Sequence, residues 1–149
     1  MSYKNIEIYT DGGCSGNPGV GGWAFVFSAD GKFITEQSGG DIFTTNNKME
    51  LTAVINALKA CVATDAQSII VNTDSQYVKN GISSWVINWK KNGWKTAAKK
   101  PVKNKELWVE LDRLNSQLPV KYQWVKGHAG IYGNERCDTL VNLEMDKLK

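Results

Sequence analysis

Hydrophobic and polar residues alternate at the start of the chain, where Ile6 and Ile8 stand between polar neighbours. This period of two is typical of a half-buried β-strand. The glycine- and proline-rich stretch TDGGCSGNPGVGG follows and predicts a loop after Asp11. The segments WAFVF and KFITEQ then flank Asp30 and Gly31, a pair that tolerates positive φ in a tight hairpin. We therefore expect three strands that form an antiparallel meander.

The period then changes to that of a helix. Apolar residues recur every three or four positions from Met49 to Val62, which predicts a helix with one buried stripe. The run SIIVN at 68–72 is apolar without alternation, as expected for a central parallel strand that is covered on both faces. The helix would cross over between this strand and the meander.

The second half of the chain predicts further helices and one strand. The segments SQYVKNG and ISSWVINWKK are predicted to be helical. Pro101 suits the first turn of a helix that buries Leu107, Leu111 and Leu114. VKYQWV at 120–125 is predicted as the last strand, and the loop GHAGIYGN leads to a C-terminal helix. Together these elements predict a five-stranded mixed α/β sheet, antiparallel first and then parallel, with helices on both faces.

The length of 149 residues allows one ordinary hydrophobic core, so we expect a single domain over 1–149. The three cysteines have no spacing typical of a zinc site or a disulfide framework, which favours a reducing, cytoplasmic location. The N-terminus lacks the apolar core of a signal peptide, and no apolar run reaches the roughly 20 residues that span a bilayer. The net charge of +3 permits a polyanionic partner without requiring one.

Four acidic residues lie at the predicted boundaries of these elements: Asp11, Glu50, Asp74 and Asp138. Each has a structural explanation. Asp11 precedes a glycine and suits a turn, the spacing from Asn47 to Glu50 is that of a capping box, Asp74 suits a helix cap, and Asp138 suits a solvated helix face. Taken singly, these explanations are the more common ones for such residues.

Taken together, the four acids predict a metal site. In this topology the first and fourth strands are parallel neighbours, so Asp11 and Asp74 emerge side by side at the carboxyl ends of the sheet. Glu50 and Asp138 each adjoin the buried stripe of their helix and can lean toward the same point. Converging carboxylates need cations, and hard oxygen ligands favour Mg²⁺ or Mn²⁺ over zinc. Two such ions promote phosphoryl transfer, which predicts a nuclease.

His128 and a cationic aromatic segment add to this hypothesis. His128 is the only histidine, lies in a predicted loop, and is either an ordinary surface residue or a group that shuttles a proton or helps product to leave. The segment interleaves rings and ammonium groups: Trp85, Trp89, Lys90, Lys91, Trp94, Lys95, Lys99 and Lys100. Some of its tryptophans can be helix anchors with a solvated lysine face, but the clustering favours binding of nucleic acid.

Several long motifs, in one order over nearly the whole chain, resemble type 1 ribonuclease H of the cellular bacterial branch. They are TDGGCSGNPGVGGWA, TTNNKMEL, NTDSQYV, W-x3-W-K-K-x-G-W-K and WVKGHAG-x3-NERCD. The resemblance implies the ribonuclease H-like fold and endonucleolytic cleavage of the RNA strand of RNA–DNA hybrids. The expected ends are 5′-phosphate and 3′-hydroxyl, with two Mg²⁺ ions that Mn²⁺ can replace. A monomer without an obligate protein partner is the default expectation.

The resemblance also implies roles for single residues. Asp11 would bridge both ions, Asp138 would hold the ion that serves the attacking water, and Glu50 with Asp74 would hold the ion that faces the leaving oxygen. His128 would be the mobile loop histidine. Residues that match contacts to the RNA strand are Gly12, Cys14, Asn17, Asn46 and Gln76. Residues that match contacts to the DNA strand are Thr45, Trp85 and Asn88, and the lysines from 90 to 100 match the basic protrusion.

Three positions depart from the family pattern: Gly13 stands where Ser is common, Lys48 where Arg is common, and Val141 where a small residue is common. An ammonium at Lys48 is a point charge and lacks the planar fork of Arg, which changes phosphate recognition. Two other functions fit parts of the sequence. One is a related nuclease, integrase-like or junction-cutting, and the other is a hybrid-binding module without catalysis.

Overall fold

The structure is a computed structural model that describes residues 3–125 and 132–149. Within them the strands are β1 (Asn5–Ser15), β2 (Gly19–Ala29), β3 (Lys32–Thr44), β4 (Ser68–Thr73) and β5 (Val120–Trp124). The helices are α1 (Asn46–Val62), α2 (Gln76–Asn80), α3 (Val86–Asn92), α4 (Lys105–Gln117) and α5 (Tyr132–Leu148). A π-helical turn, Gly81–Trp85, joins α2 to α3. In the described part of the chain, no helix combines the length and the apolar character that crossing a bilayer requires.

The five strands form one sheet in the order β3-β2-β1-β4-β5. β1 pairs antiparallel with β2, β2 pairs antiparallel with β3, and β4 runs parallel to both β1 and β5. The predicted mixed sheet is confirmed. So is the hairpin at Asp30 and Gly31, because both residues have positive φ, of 51° and 82°.

Helices cover both faces of the sheet, as predicted. α1 and α4 pack together over one face, where Leu51, Leu58, Leu111 and Trp108 join the larger core cluster. α5 covers the other face and packs against β1, β2 and β3 through a smaller cluster of Ala24, Val26, Cys137, Leu140 and Val141. The two layers bring the N-terminal part of α1 and the N-terminal half of α5 to the same region of β1.

The glycine-rich segment after Asp11 is strand and not loop, which corrects the prediction. β1 continues to Ser15, and its residues Gly12, Gly13 and Cys14 pair with Trp23, Gly22 and Gly21 of β2. Only 16–18 form the turn between the strands. Glycine normally weakens a strand, but it is used where another backbone approaches closely. α1 and α5 make such approaches here.

The helix predicted from Pro101 starts later than expected. α4 begins at Lys105, while Pro101 forms an isolated bridge with Lys95. Leu111 and Leu114 are buried as predicted, but Leu107 is only partly buried. The largest buried side chain of α4 is Trp108, which fills the space above Gly81.

The C-terminal helix starts earlier than expected. α5 begins at Tyr132, so the last three residues of the predicted loop are helical, and the rest of that loop lies outside the described residues. Gly133 lies against the ring of Tyr9, at a point where a Cβ would come within 2.2 Å of a ring carbon. The guanidinium of Arg136 donates two hydrogen bonds, of 2.9 and 2.7 Å, to the carboxylate of Glu36 in β3. These contacts fix the start of α5 on the sheet.

Candidate active site

Three acidic side chains converge where β1 extends beyond β4. Each of Asp11, Glu50 and Asp74 offers a carboxylate oxygen, and these oxygens lie within 4.8 Å of one another. Asp11 is in β1, two residues past Tyr9, which is the last residue of β1 paired with β4. Asp74 directly follows β4, and Glu50 is in the second turn of α1. The predicted convergence was inferred from topology for Asp11 and Asp74 and from helix periodicity for Glu50, and it matches the geometry of these three acids.

Close backbone packing carries Glu50 to this point. A Cβ at residue 12 would lie 2.4 Å from the backbone nitrogen of Glu50 and 2.4 Å from the carbonyl carbon of Met49, so only glycine fits there. The Gly12 N–H donates a hydrogen bond to the Glu50 carboxylate, and the Ser75 hydroxyl donates another. Glu50 is therefore held by two donors while its side chain is almost fully removed from solvent.

The electrostatics of this group are unfavourable without a cation. Burial raises the pKa of Glu50 well above its usual range, and the neighbouring charges of Asp11 and Asp74 raise it further. The two hydrogen bonds act in the opposite direction but do not cancel these effects. Three carboxylates at this spacing form an oxygen-only donor set that suits a hard divalent cation. The residues present therefore fit a metal ion of that class.

The acids line an open cavity of about 520 Å³. Asp138 of α5 lies on the wall of this cavity. The group of carboxylates within 4.8 Å of one another consists of Asp11, Glu50 and Asp74 among the described residues. The sequence predicted four converging acids. The structure places three together and the fourth on the same cavity.

Most of the residues predicted to contact the RNA strand line the same cavity: Gly12, Cys14, Asn46 and Gln76. Asn17 is not in the lining, but its side-chain oxygen accepts a hydrogen bond of 3.2 Å from the backbone nitrogen of Asn46. The Cys14 thiol donates to the carbonyl oxygens of Gly16 and Thr44, at 2.7 and 3.3 Å. These bonds tie the turn after β1 to the start of α1.

The structural explanations considered for Asp11, Glu50 and Asp74 do not hold. Asp11 pairs with Ala24 inside a strand and forms no turn. Thr45, and not Asn47, caps α1, because its hydroxyl accepts a hydrogen bond of 3.2 Å from the backbone nitrogen of Lys48. Ser75, and not Asp74, caps α2. The two hydroxyl residues cap these helices beside the acids.

The aromatic segment is partly packed and partly open. Trp89 and Trp94 pack against the core, whereas Trp85 is 36% exposed. The ring centroids of Trp85 and Trp89 are 6.0 Å apart. Trp85, Trp89 and Tyr77 line an apolar cavity of about 310 Å³, and Tyr77 also lines the acidic cavity. Both interpretations of the tryptophans are therefore partly correct.

The lysines predicted to track phosphates are exposed: Lys90, Lys91, Lys95, Lys99 and Lys100. Lys90 forms an ion pair of 3.4 Å with Asp112 of α4. Asn88 is also exposed, whereas the hydroxyl of Thr45 is engaged in capping α1. All five lysines therefore lie on the surface, with Lys90 engaged by Asp112.

Sequence reasoning missed several residues of the acidic cavity: Asn47, Ser75, Tyr77, Asn142 and Met145. Ser75 and Tyr77 stand next to predicted site residues in NTDSQYV, so their proximity was the available signal. Asn142 and Met145 follow Asp138 by one and two helical turns, a spacing that places them on its face of α5. His128 lies outside the described residues, so its predicted position is not described.

Comparison with known proteins identifies the family. A family model described as RNase H matches residues 3–146. A protein named Ribonuclease H from Treponema denticola is 55% identical, over 92% of this chain and 94% of its own length. Among solved structures, LC9-RNase H1, described as a type 1 RNase H with the type 2 active-site motif, superposes with a TM-score of 0.85 at 28% identity. The superposition covers 100% of this chain and 75% of LC9-RNase H1. LC11-RNase H1, solved in complex with RNA/DNA hybrid, gives a TM-score of 0.68 at 26% identity, with 95% and 97% covered.

Proposed function

Because this chain belongs to the ribonuclease H family, we propose that it is an endonuclease that hydrolyses the RNA strand of RNA–DNA hybrids and leaves 5′-phosphate and 3′-hydroxyl ends. The observation that supports this most directly is the meeting of Asp11, Glu50 and Asp74 within 4.8 Å at an open cavity. A groove that presents carboxylates alone would repel a polyanionic substrate. The arrangement is useful only when cations neutralise it.

We assign Mg²⁺ as the natural cation, with Mn²⁺ as a substitute, and two ions in the substrate complex. Asp11, Glu50 and Asp74 would hold one ion, and Asp11 with Asp138 the other. When bound, such ions supply activation of a water and stabilisation of the charge on the departing oxygen. The protein fixes the carboxylates through β1, the end of β4 and the two helices that approach from opposite faces.

The cavity walls distinguish RNA from DNA in this proposal. The side chains of Asn46 and Gln76 carry donors and acceptors and line the cavity with the acids, as do Gly12 and Cys14. A 2′-hydroxyl is both donor and acceptor, and it is the group by which a protein separates RNA from DNA. Asn17 acts less directly, by holding the N-terminus of α1 in place.

The basic segment binds the backbone of the DNA strand. Its lysines are exposed, and its residues Trp85 and Trp89 line an apolar cavity together with Lys103. Ammonium groups track phosphates, and exposed rings pack on sugars or bases without reading sequence. Thr45 and Asn88 complete this contact, and His128 assists proton transfer or product release. We also propose that the enzyme acts as a cytoplasmic monomer.

A panel of substrates tests this function. The protein is incubated with Mg²⁺ and four substrates: an RNA–DNA hybrid, duplex RNA and duplex DNA of matched sequence and length, and a four-way DNA junction. We expect cleavage of the hybrid, at internal positions of its RNA strand. Preferential cutting of the junction would instead favour a related nuclease of the same fold. Tight binding to the hybrid without any cutting would favour a non-catalytic binding module.

A further inference from the structure

α5 crosses the sheet at a point where two paired residues of neighbouring strands are both glycines. Gly13 of β1 pairs directly with Gly22 of β2, so their missing side chains leave one shared space on the face that α5 covers. A Cβ at residue 13 would lie 3.3 Å from Cγ1 of Val141, and a Cβ at residue 22 would lie 2.8 Å from the carbonyl oxygen of Val141. Val141 therefore contacts both glycines, once through its side chain and once through its backbone.

Val141 has little freedom to move away from this contact. It is 3% exposed and packs with Ala24, Val26, Cys137 and Leu140 in the core cluster between α5 and the sheet. Cores of this kind are close-packed, so an atom added at the contact displaces the helix or strains it. Val141 also lies one helical turn after Asp138, and both residues line the acidic cavity. A shift of α5 at Val141 is therefore a shift of Asp138.

We infer that the contact of Val141 with Gly13 and Gly22 is a spacer that sets the distance of Asp138 from the cluster of Asp11, Glu50 and Asp74. The three residues of the spacer are positioning residues, since none of them offers a ligand atom. The inference rests on the proposed function, in which Asp138 holds a cation with Asp11.

A side chain at residue 13 would press on Val141. Its Cβ would lie 3.3 Å from Cγ1 of Val141, closer than an ordinary van der Waals contact, so the neighbour would have to shift by a few tenths of an ångström.

The test is a double-mutant cycle that measures Mn²⁺ binding by titration calorimetry on the whole protein, without nucleic acid. In the parent protein, Gly13→Ala should weaken Mn²⁺ binding about fivefold, because one methyl group is forced into a packed contact. In a Val141→Ala background the same change should weaken it less than about twofold, since the opposing methyl groups are gone. Equal effects in the two backgrounds would overturn the inference.

Gly22→Ala provides a matched control. Its added Cβ meets the carbonyl oxygen of Val141 and not the side chain, so Val141→Ala should not restore Mn²⁺ binding. Restoration there would also contradict the inference, because it would show a general effect of loosening the core. Should Gly13→Ala fail to fold, Val141→Ile enlarges the other side of the contact, and it should weaken Mn²⁺ binding in the same direction.

Two further measurements distinguish a loss of stability, a failure of the spacer and a failure of the proposed function. Melting temperatures in EDTA report loss of stability, which is measured apart from the loss of Mn²⁺ binding. Cleavage of a hybrid by the unmodified protein tests the proposed function itself. An unmodified protein that cleaves but shows no coupling between residues 13 and 141 would overturn the spacer alone. A protein that cleaves no hybrid would refute the proposed function, while the Mn²⁺ cycle would still report on the spacer.

Discussion

The backbone nitrogen of Glu50 occupies the position that a side chain on Gly12 would need, because a Cβ at residue 12 would lie only 2.4 Å from it. The Gly12 N–H also donates to the Glu50 carboxylate. One residue of β1 thus sets both the approach of α1 to the sheet and the orientation of its acid. Gly12, which follows Asp11 in β1 and contacts the backbone of Glu50, therefore brings these two acids together.

Gly12→Ala is expected to lose activity by at least about 100-fold, since a misplacement of about 1 Å at a catalytic site has an effect of that size. The added Cβ collides with the backbone of Met49 and Glu50, which cannot rotate away as a side chain could. The measurement is hybrid cleavage at saturating Mg²⁺, with circular dichroism to confirm that the variant folds. Near-normal cleavage by a folded variant would contradict this role for Gly12.

Glu50→Gln is expected to stabilise the protein in the absence of metal. The pKa of Glu50 is raised in the folded protein by burial and by Asp11 and Asp74, so the folded state favours the protonated form. The stability that this provides is complete below the ordinary pKa of a glutamate, about 4.3, and is lost as the pH rises through the folded value. A neutral amide avoids that loss.

Melting curves in EDTA from pH 4 to pH 8 provide the measurement. The melting temperature of Glu50→Gln should exceed that of the parent by about 3 °C near pH 8, which is the effect of roughly 1 kcal/mol in a domain of this size. The difference should shrink toward pH 4, and it should also shrink when Mg²⁺ is added to the parent. A variant that is less stable at every pH would show that Glu50 is well accommodated as an anion.

The positions of these acids follow from the sequence to different degrees. The topology could be predicted because β1 alternates apolar and polar residues, β4 is an apolar run, and Asp30 with Gly31 has the chemistry of a tight hairpin turn. The convergence of Asp11 and Asp74 followed from it. The length of β1 could not be predicted, because the same glycines that usually end a strand are here required by helices on both faces.

Helix boundaries were predicted less well for similar reasons. Asn104 adopts a left-handed conformation, with φ of 60°, immediately before α4, and its amide donates to the hydroxyl of Tyr77 instead of capping the helix. Nothing local in the sequence distinguishes this from a helix that begins at Pro101. The burial of Trp108 depends on space above Gly81, which lies 27 residues earlier, and such tertiary contacts are invisible to periodicity.

Thr45→Ala is expected to reduce the free energy of unfolding by about 1 kcal/mol, the usual contribution of a hydroxyl that caps a helix N-terminus. The Thr45 hydroxyl accepts from the backbone nitrogen of Lys48, at the start of the helix that carries Glu50. Urea denaturation measures the change. Thr45→Ser keeps the hydroxyl and is the matched control, with an expected change of a few tenths of that amount. Equal losses in both variants would assign the effect to the lost methyl group instead.

Replacement of Lys95, Lys99 and Lys100 by Gln is expected to weaken hybrid binding and to lower its salt dependence. Each phosphate contact that is lost should reduce the slope of log affinity against log salt by up to about 0.9. The triple variant should raise KM more than it lowers kcat, because these lysines lie outside the acidic cavity.

The control for this experiment removes the same charge elsewhere. Three exposed lysines lie away from Asp11: Lys4 directly precedes β1, Lys32 begins β3 and Lys59 is in the last turn of α1. Their replacement by Gln changes the net charge equally, so it should leave the salt slope near that of the parent. A similar fall in slope for both triple variants would mean that net charge, and not the basic segment, governs binding.

The most direct test of the central claim follows the RNA strand of a hybrid that carries a separate label on each strand. The parent protein and Asp11→Asn are incubated with Mg²⁺, with EDTA, and with EDTA followed by excess Mg²⁺, and the products of both strands are separated by size. The acidic site predicts internal cuts in the RNA strand alone, abolished by EDTA, restored by Mg²⁺ and absent in Asp11→Asn even though that variant still binds the hybrid. Cleavage that persists in EDTA or survives unchanged in Asp11→Asn would contradict it.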